Sequence, residues 1–82
     1  MISVDQCRAA RALLDWSAQK LADKAGVGVA TVRRYEAGSS IAEASMAAIE
    51  TALSQAGITF IATGEASRSG GQGVRLTPNS PN

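Results

Sequence analysis

The sequence predicts a mostly α fold, with four helices followed by a C-terminal β-hairpin or dimerisation strand. Three observations carry that prediction. Apolar residues recur at helical spacing in four segments before Gly57. Hydroxyl-x-x-Gln/Glu boxes open two of these segments, and Gly26, Gly38 and Gly57 stand where helices end. From Ile58 onward the apolar period shortens to two, as in a strand.

The elements follow in order. Ser3-Val4-Asp5-Gln6 reads as a capping box, with Asp5 in the positive first turn. It opens a first helix over about Val4 to Asp15, with Cys7, Ala10 and Leu14 on one face. Cys7 reads as a small buried apolar residue rather than a reactive thiol. Trp16 reads as core, at the junction of the first two helices. Ser17 caps a short second helix, about Ala18 to Ala25, with Leu21, Ala22 and Ala25 turned inward and Gly26 in the left-handed position that ends it. Gly28 permits the start of a third helix, about Val29 to Ala37, ended by Gly38. Ser40-Ile41-Ala42-Glu43 reads as a second capping box, opening a helix that reaches Ala56 with Met46, Ile49, Leu53 and Ala56 inward. Residues 58–63 then alternate as a strand, Gly64 to Gly73 form a Gly/Ser-rich loop, and residues 74–77 form a second short strand. The division expected is a helix-turn-helix domain over 1–57, a β-type dimerisation extension over 58–77 and a disordered tail over 78–82.

Composition excludes several classes of function. The chain has 82 residues, enough for one small domain. Alanine supplies 16 of its apolar residues, which leaves a thin core and argues for closely packed helices or a partner subunit. No apolar run approaches the ~18 residues of a membrane span. The first residues lack the basic-then-apolar order of a signal peptide. There is no His and one Cys, so a His-assisted nucleophile and an ordinary zinc site are excluded, and no intramolecular disulfide forms. No glycine loop has phosphate-binding order. We therefore expect no enzyme, no cofactor, no metal and no membrane association, and a cytoplasmic location.

The net charge is only +1, but its distribution is uneven. Arg8, Arg11, Lys20, Lys24, Arg33 and Arg34 all lie before Gly38, so the front half carries the candidate face for an anionic ligand. Two short helices joined by a glycine-containing turn form a helix-turn-helix unit. In such a unit the second helix can lie in the DNA major groove, its first residues facing base edges.

The residues Arg11, Trp16-Ser17, Leu21-Ala22, Ala25-Gly26-Val27, Thr31-Val32, Tyr35-Glu36 and Gly38 carry a resemblance. The sequence resembles the phage-repressor helix-turn-helix family (lambda- and Cro-like, Xre-type) over about residues 4–56. The resemblance implies a four-helix lambda-repressor-like domain and a regulator of transcription, a repressor, that binds double-stranded DNA in the major groove as a homodimer, in a bacterial or phage-type, nucleoid-associated setting. It implies base reading by Val29, Ala30 and Arg34, with Arg33 beside them. It implies phosphate contacts at Ser17, Ala18, Gln19, Gly28, Thr31 and Tyr35. It also implies a structural ion pair between Arg11 and Glu36. Dimerisation is expected through Ile58, Phe60, Ile61, Val74 and Leu76 of the β segment.

Four features depart from the family's pattern, the first being that residues 58–77 read as a β-hairpin rather than the family's usual last helix. Gly28 stands where a Ser or Thr often caps the recognition helix. Ala18 stands where a Gln often binds phosphate. The segment Ser39-Ser40-Ile41-Ala42-Glu43 lacks the usual cations. Several residues also have a plainer reading. Arg33-Arg34, Arg8, Lys20 and Lys24 can be solvated helix faces, and Tyr35 can be packing alone. The competing function is a protein-binding module of the same fold, antitoxin-like or anti-activator, with weak DNA binding and a protein partner. The weak basicity favours it; Arg33-Arg34 on the recognition helix favours the DNA-binding reading.

Overall fold

A computed structural model of the chain describes residues 2–61 and 73–76. All but Gly73 of the expected loop over 64–73, the strand ends at 62–63 and 77, and the tail over 78–82 lie outside the described residues. The order is α1 (Val4–Leu14), α2 (Ala18–Ala25), α3 (Val29–Glu36), α4 (Glu43–Gln55), β1 (Ile58–Ile61) and β2 (Gly73–Leu76).

The first capping box forms as expected. Gln6 N–H donates to Ser3 Oγ at 3.1 Å, and Ser3 N–H donates to Gln6 Oε1 at 2.9 Å. Helix α1 ends one residue early, because Asp15 turns into the left-handed region at φ 57° and becomes its C-cap. A short polar side chain tolerates that conformation better than most. Ser17 caps α2 by accepting from Lys20 N–H at 3.0 Å. Gly26 ends α2 at φ 74°, where any side chain would be strained. Helix α3 stops at Glu36, with Ala37 as its cap and Gly38 left-handed beyond it.

The second capping box does not form. Helix α4 begins at Glu43, with Ala42 as an N-cap that offers no side-chain hydrogen bond. Ser40 is exposed, while Ile41 is partly buried and packs against the core. Ile41 packs partly on the core and Ala42 after it is extended, so helical turns start later than the box implied.

Seven side chains from the four helices are fully buried: Cys7 and Ala10 of α1, Leu21 and Ala22 of α2, Val32 of α3, Ile49 and Leu53 of α4. The two alanines bring α1 and α2 close to their neighbours, and a small core results. Tyr35, Ala52, Ile2 and Ile58 extend it. Leu14, Met46, Ala25, Ala56 and Trp16, all expected inward, are only partly buried.

Strands β1 and β2 pair antiparallel, Ile58 opposite Leu76 and Ile61 opposite Gly73. Gly73, expected in the loop, thus belongs to β2. Strand β1 lies against α4 and β2 against α1. An isolated hairpin is marginal in water. Here Gln6 holds it from below, its amide donating to Ile61 O at 3.2 Å and Gly73 O at 2.9 Å. Ile58 was expected at a dimer contact, but it is 4% exposed and belongs to the core of its own chain.

Candidate nucleic-acid interface

Helices α2 and α3 pack on each other across the turn Gly26-Val27-Gly28. Helix α3 divides cleanly by exposure. Val32, Tyr35 and Glu36 face inward. Ala30, Arg33, Arg34 and Ala37 are exposed, at the i, i+3, i+4, i+7 spacing of one helix face. Among the described residues neither the Arg33 nor the Arg34 guanidinium has a hydrogen-bond or ion-pair partner. Two cations thus stand on the outward stripe with their donors unused.

The inner face is held by a polar cluster. Glu36 takes both ends of the Arg11 fork, Nε at 2.9 Å and Nη2 at 2.7 Å. Arg11 Nη1 donates to Trp16 O at 3.0 Å. The Cys7 thiol donates to Glu36 Oε2 at 3.3 Å. Arg11 and Glu36 keep only 22% and 8% of their side-chain exposure, so the pair is largely shielded. Burial by itself pushes the Glu36 carboxyl up. The hydrogen bonds from Arg11 and Cys7, with the Arg11 charge, outweigh it and hold the group below its ordinary range. The same hydrogen bond pushes Arg11 up. Burial, then the bond and charge of Glu36, pushes the Cys7 thiol up to about 12, so it stays protonated and unreactive near neutrality. The expected Arg11–Glu36 pair is thus present, and it ties α1 to the last turn of α3.

Tyr35 does not take the place expected for a phosphate contact. The residue is 6% exposed and its hydroxyl donates to Ile2 O at 2.7 Å, which points the polar end away from solvent. Burial raises its pKa, so the hydroxyl stays a donor near neutrality.

The other expected residues fall as follows. Ala30, Arg33 and Arg34 share the outward stripe, whereas Val29 is half-buried against the core at its edge. Thr31 is half-buried and Gly28 exposed. Gly28 gives α3 an extended N-cap with no side-chain hydrogen bond. Ser17 is exposed, its oxygen accepting from Lys20 N–H and its own hydroxyl proton free to donate. Ala18 packs partly on the core, so only its backbone amide is of use to an anion. Gln19 is exposed and donates to Asp23 Oδ1 at 2.9 Å, one turn along α2. Lys20, Lys24 and Arg8 are exposed. Among the described residues no three His, Cys, Asp or Glu side chains come together as a metal would need.

The profile of the helix-turn-helix family matches residues 8–54, from the second turn of α1 through all but the last residue of α4. The chain belongs to the Xre and lambda-repressor-like helix-turn-helix family. No curated protein matches the sequence. In this family α2 and α3 are the helix-turn-helix, and the protein is a DNA-binding regulator of transcription. Among the described residues no helix is long and apolar enough to cross a membrane.

Sequence reasoning missed the double duty of Gln6. The capping box marked one end of its amide, but nothing local showed that the other end meets the hairpin. It also missed the Cys7–Glu36 and Arg11–Trp16 bonds. Cys7 and Arg11 are one turn apart on α1, and that spacing was the available signal for a shared target.

Proposed function

We propose that this protein is a sequence-specific transcriptional repressor that binds a pseudo-palindromic operator in double-stranded DNA as a homodimer, in the cytoplasm. The observation that carries the reading is the outward stripe of α3, where Arg33 and Arg34 stand unpaired beside Ala30. Ala30, with Val29 at its edge, has no hydrogen-bonding side chain and suits the thymine methyl. The Arg34 fork suits guanine O6 and N7, and Arg33 reaches a base or a phosphate. Half-sites therefore hold a T-rich step beside a G. Phosphates are met by Thr31, the backbone at Gly28, Ser17, Gln19 and the amide of Ala18. Two-fold symmetry would set the two α3 helices roughly 34 Å apart, one turn of DNA. Phe60, Ile61, Val74 and Leu76 of the hairpin are the proposed meeting point of the two copies. Sedimentation checks this: a monomer at tens of micromolar overturns the dimer.

The decisive experiment is a mobility-shift titration across a salt series with Arg34→Ala on a defined site. Loss of preference at one base pair, worth about 1–3 kcal/mol, is the expected result. A uniform weakening on every sequence reduces Arg34 to a phosphate contact. A binding constant that ignores both salt and Arg34 favours the protein-binding module instead. That second reading rests on one observation: Ser39, Ser40 and Glu43, which follow α3, are exposed and bring no cation.

A further inference from the structure

Trp16 lies outside the DNA-reading stripe. It lines an open cleft of about 360 Å³ together with Lys24 of α2 and Ala52, Gln55 and Ala56 at the end of α4. That volume falls within the range of about 300–1,000 Å³ common to small-ligand sites. The indole is half-buried, Ala52 is buried and Ala56 half-buried, so apolar surface lies at its base. Each of its polar side chains offers a donor. Lys24 is exposed, and among the described residues its ammonium has no ion-pair partner. The Trp16 indole N–H likewise has no acceptor among the described residues. Gln55 adds an exposed amide. Two other clefts among the described residues carry a carboxylate instead. The one between α1 and β2 is lined by Asp5, and the one on the outer face of α4 by Glu50.

We propose that the Trp16–Lys24 cleft binds a small aromatic carboxylate. The ring stacks on the indole over Ala52 and Ala56, and the carboxylate accepts from Lys24 and from the Trp16 N–H or the Gln55 amide. An aromatic ring covers flat apolar surface at low entropic cost, and a carboxylate is the group that uses several donors at once. A neutral or cationic ring would leave the ammonium without its counter-charge. Occupancy has a short route to the DNA-binding helix, because the Trp16 carbonyl accepts from Arg11, which holds Glu36 at the end of α3. Binding at the cleft does not depend on the DNA-binding reading and is measured without DNA.

The test is a titration of the ¹⁵N-labelled protein with benzoate and, separately, with its neutral isostere benzamide. Trp16 is the single Trp, so its indole N–H gives one unambiguous resonance. Benzoate is expected to shift that resonance and the amides of Ala52, Gln55 and Ala56 saturably, with a Kd on the order of a millimolar. Benzamide is expected to bind about fivefold more weakly. Lys24→Met should remove the difference between the two probes, while Lys20→Met should retain it. Both lysines are exposed, so both variants keep the dispersed spectrum of the folded chain. Shifts that never saturate, equal affinity for both probes, shifts confined to Arg33 and Arg34, or discrimination that survives Lys24→Met would each overturn the proposal.

Discussion

The two faces of α3 use their polar groups in opposite ways. Its inner face is fully engaged: Val32 is sealed in the core, Tyr35 donates to Ile2, and Glu36 accepts from Arg11 and Cys7. Its outer face, a few ångströms away, carries Arg33 and Arg34 with no partner among the described residues. The sequence runs Arg-Arg-Tyr-Glu without a break, so four neighbouring residues serve opposite ends. The contrast shows how a short helix is made useful. Eight residues cannot hold a helix by themselves. The inner face supplies the rigidity, and this leaves the outer side chains free of any structural duty.

Cutting the inner face should have the largest effect. Glu36→Ala leaves the Arg11 fork and the Cys7 thiol without their acceptor. We expect a loss of about 2–3 kcal/mol, below the full cost of a broken buried pair because Arg11 keeps some solvent. Glu43→Ala, at an exposed carboxylate in the first turn of α4, should cost under about 1 kcal/mol by the same denaturant titration. Equal losses in the two variants would erase the distinction between the faces.

The same carboxylate predicts a pH dependence. The folded pKa of Glu36 is depressed, so its contribution to stability is complete above the unfolded value, about 4.3, and is lost as pH falls through the folded pKa. Melting temperature followed from pH 7 to pH 2 should show Glu36→Gln closing its gap to the parent chain below about pH 4. A gap that stays constant would mean that Glu36 is not charged in the fold.

Tyr35→Phe separates packing from DNA contact. Removing the hydroxyl should cost about 1 kcal/mol, because Ile2 O loses its donor. Operator affinity, measured where both proteins are folded, should not change. A drop in affinity with unchanged stability would return the hydroxyl to the DNA side.

The smallest effect sharpens the boundary between the faces at the start of α3. Gly28 has ordinary extended torsions, and a Cβ there meets nothing within 4 Å. Gly28→Ser should therefore add the missing cap and raise stability by a few tenths of a kcal/mol. A fall in the denaturation midpoint would show that the exposed turn depends on glycine.

The sequence alone was enough for the four helices, the first capping box, the cap at Ser17, the left-handed Gly26 and the pairing of Arg11 with Glu36 in a helix-turn-helix domain. These depend on spacing within a turn or two, or on a family pattern, and both survive in one dimension. It also placed Arg33 and Arg34 together on one helix, though not their freedom from partners. The tertiary structure decided the rest. It cancelled the box at Ser40, because Ile41 packs against the core and the helix begins only after an extended Ala42. It turned the Tyr35 hydroxyl inward, because Ile2, 33 residues away, offers a buried carbonyl. It drew Ile58 into the core and gave Gln6 a second set of partners 55 and 67 residues downstream. Local hydrogen bonds and periodicity are written in neighbouring residues; a buried polar group takes whichever partner the packed chain brings to it, and no short stretch of sequence names that partner.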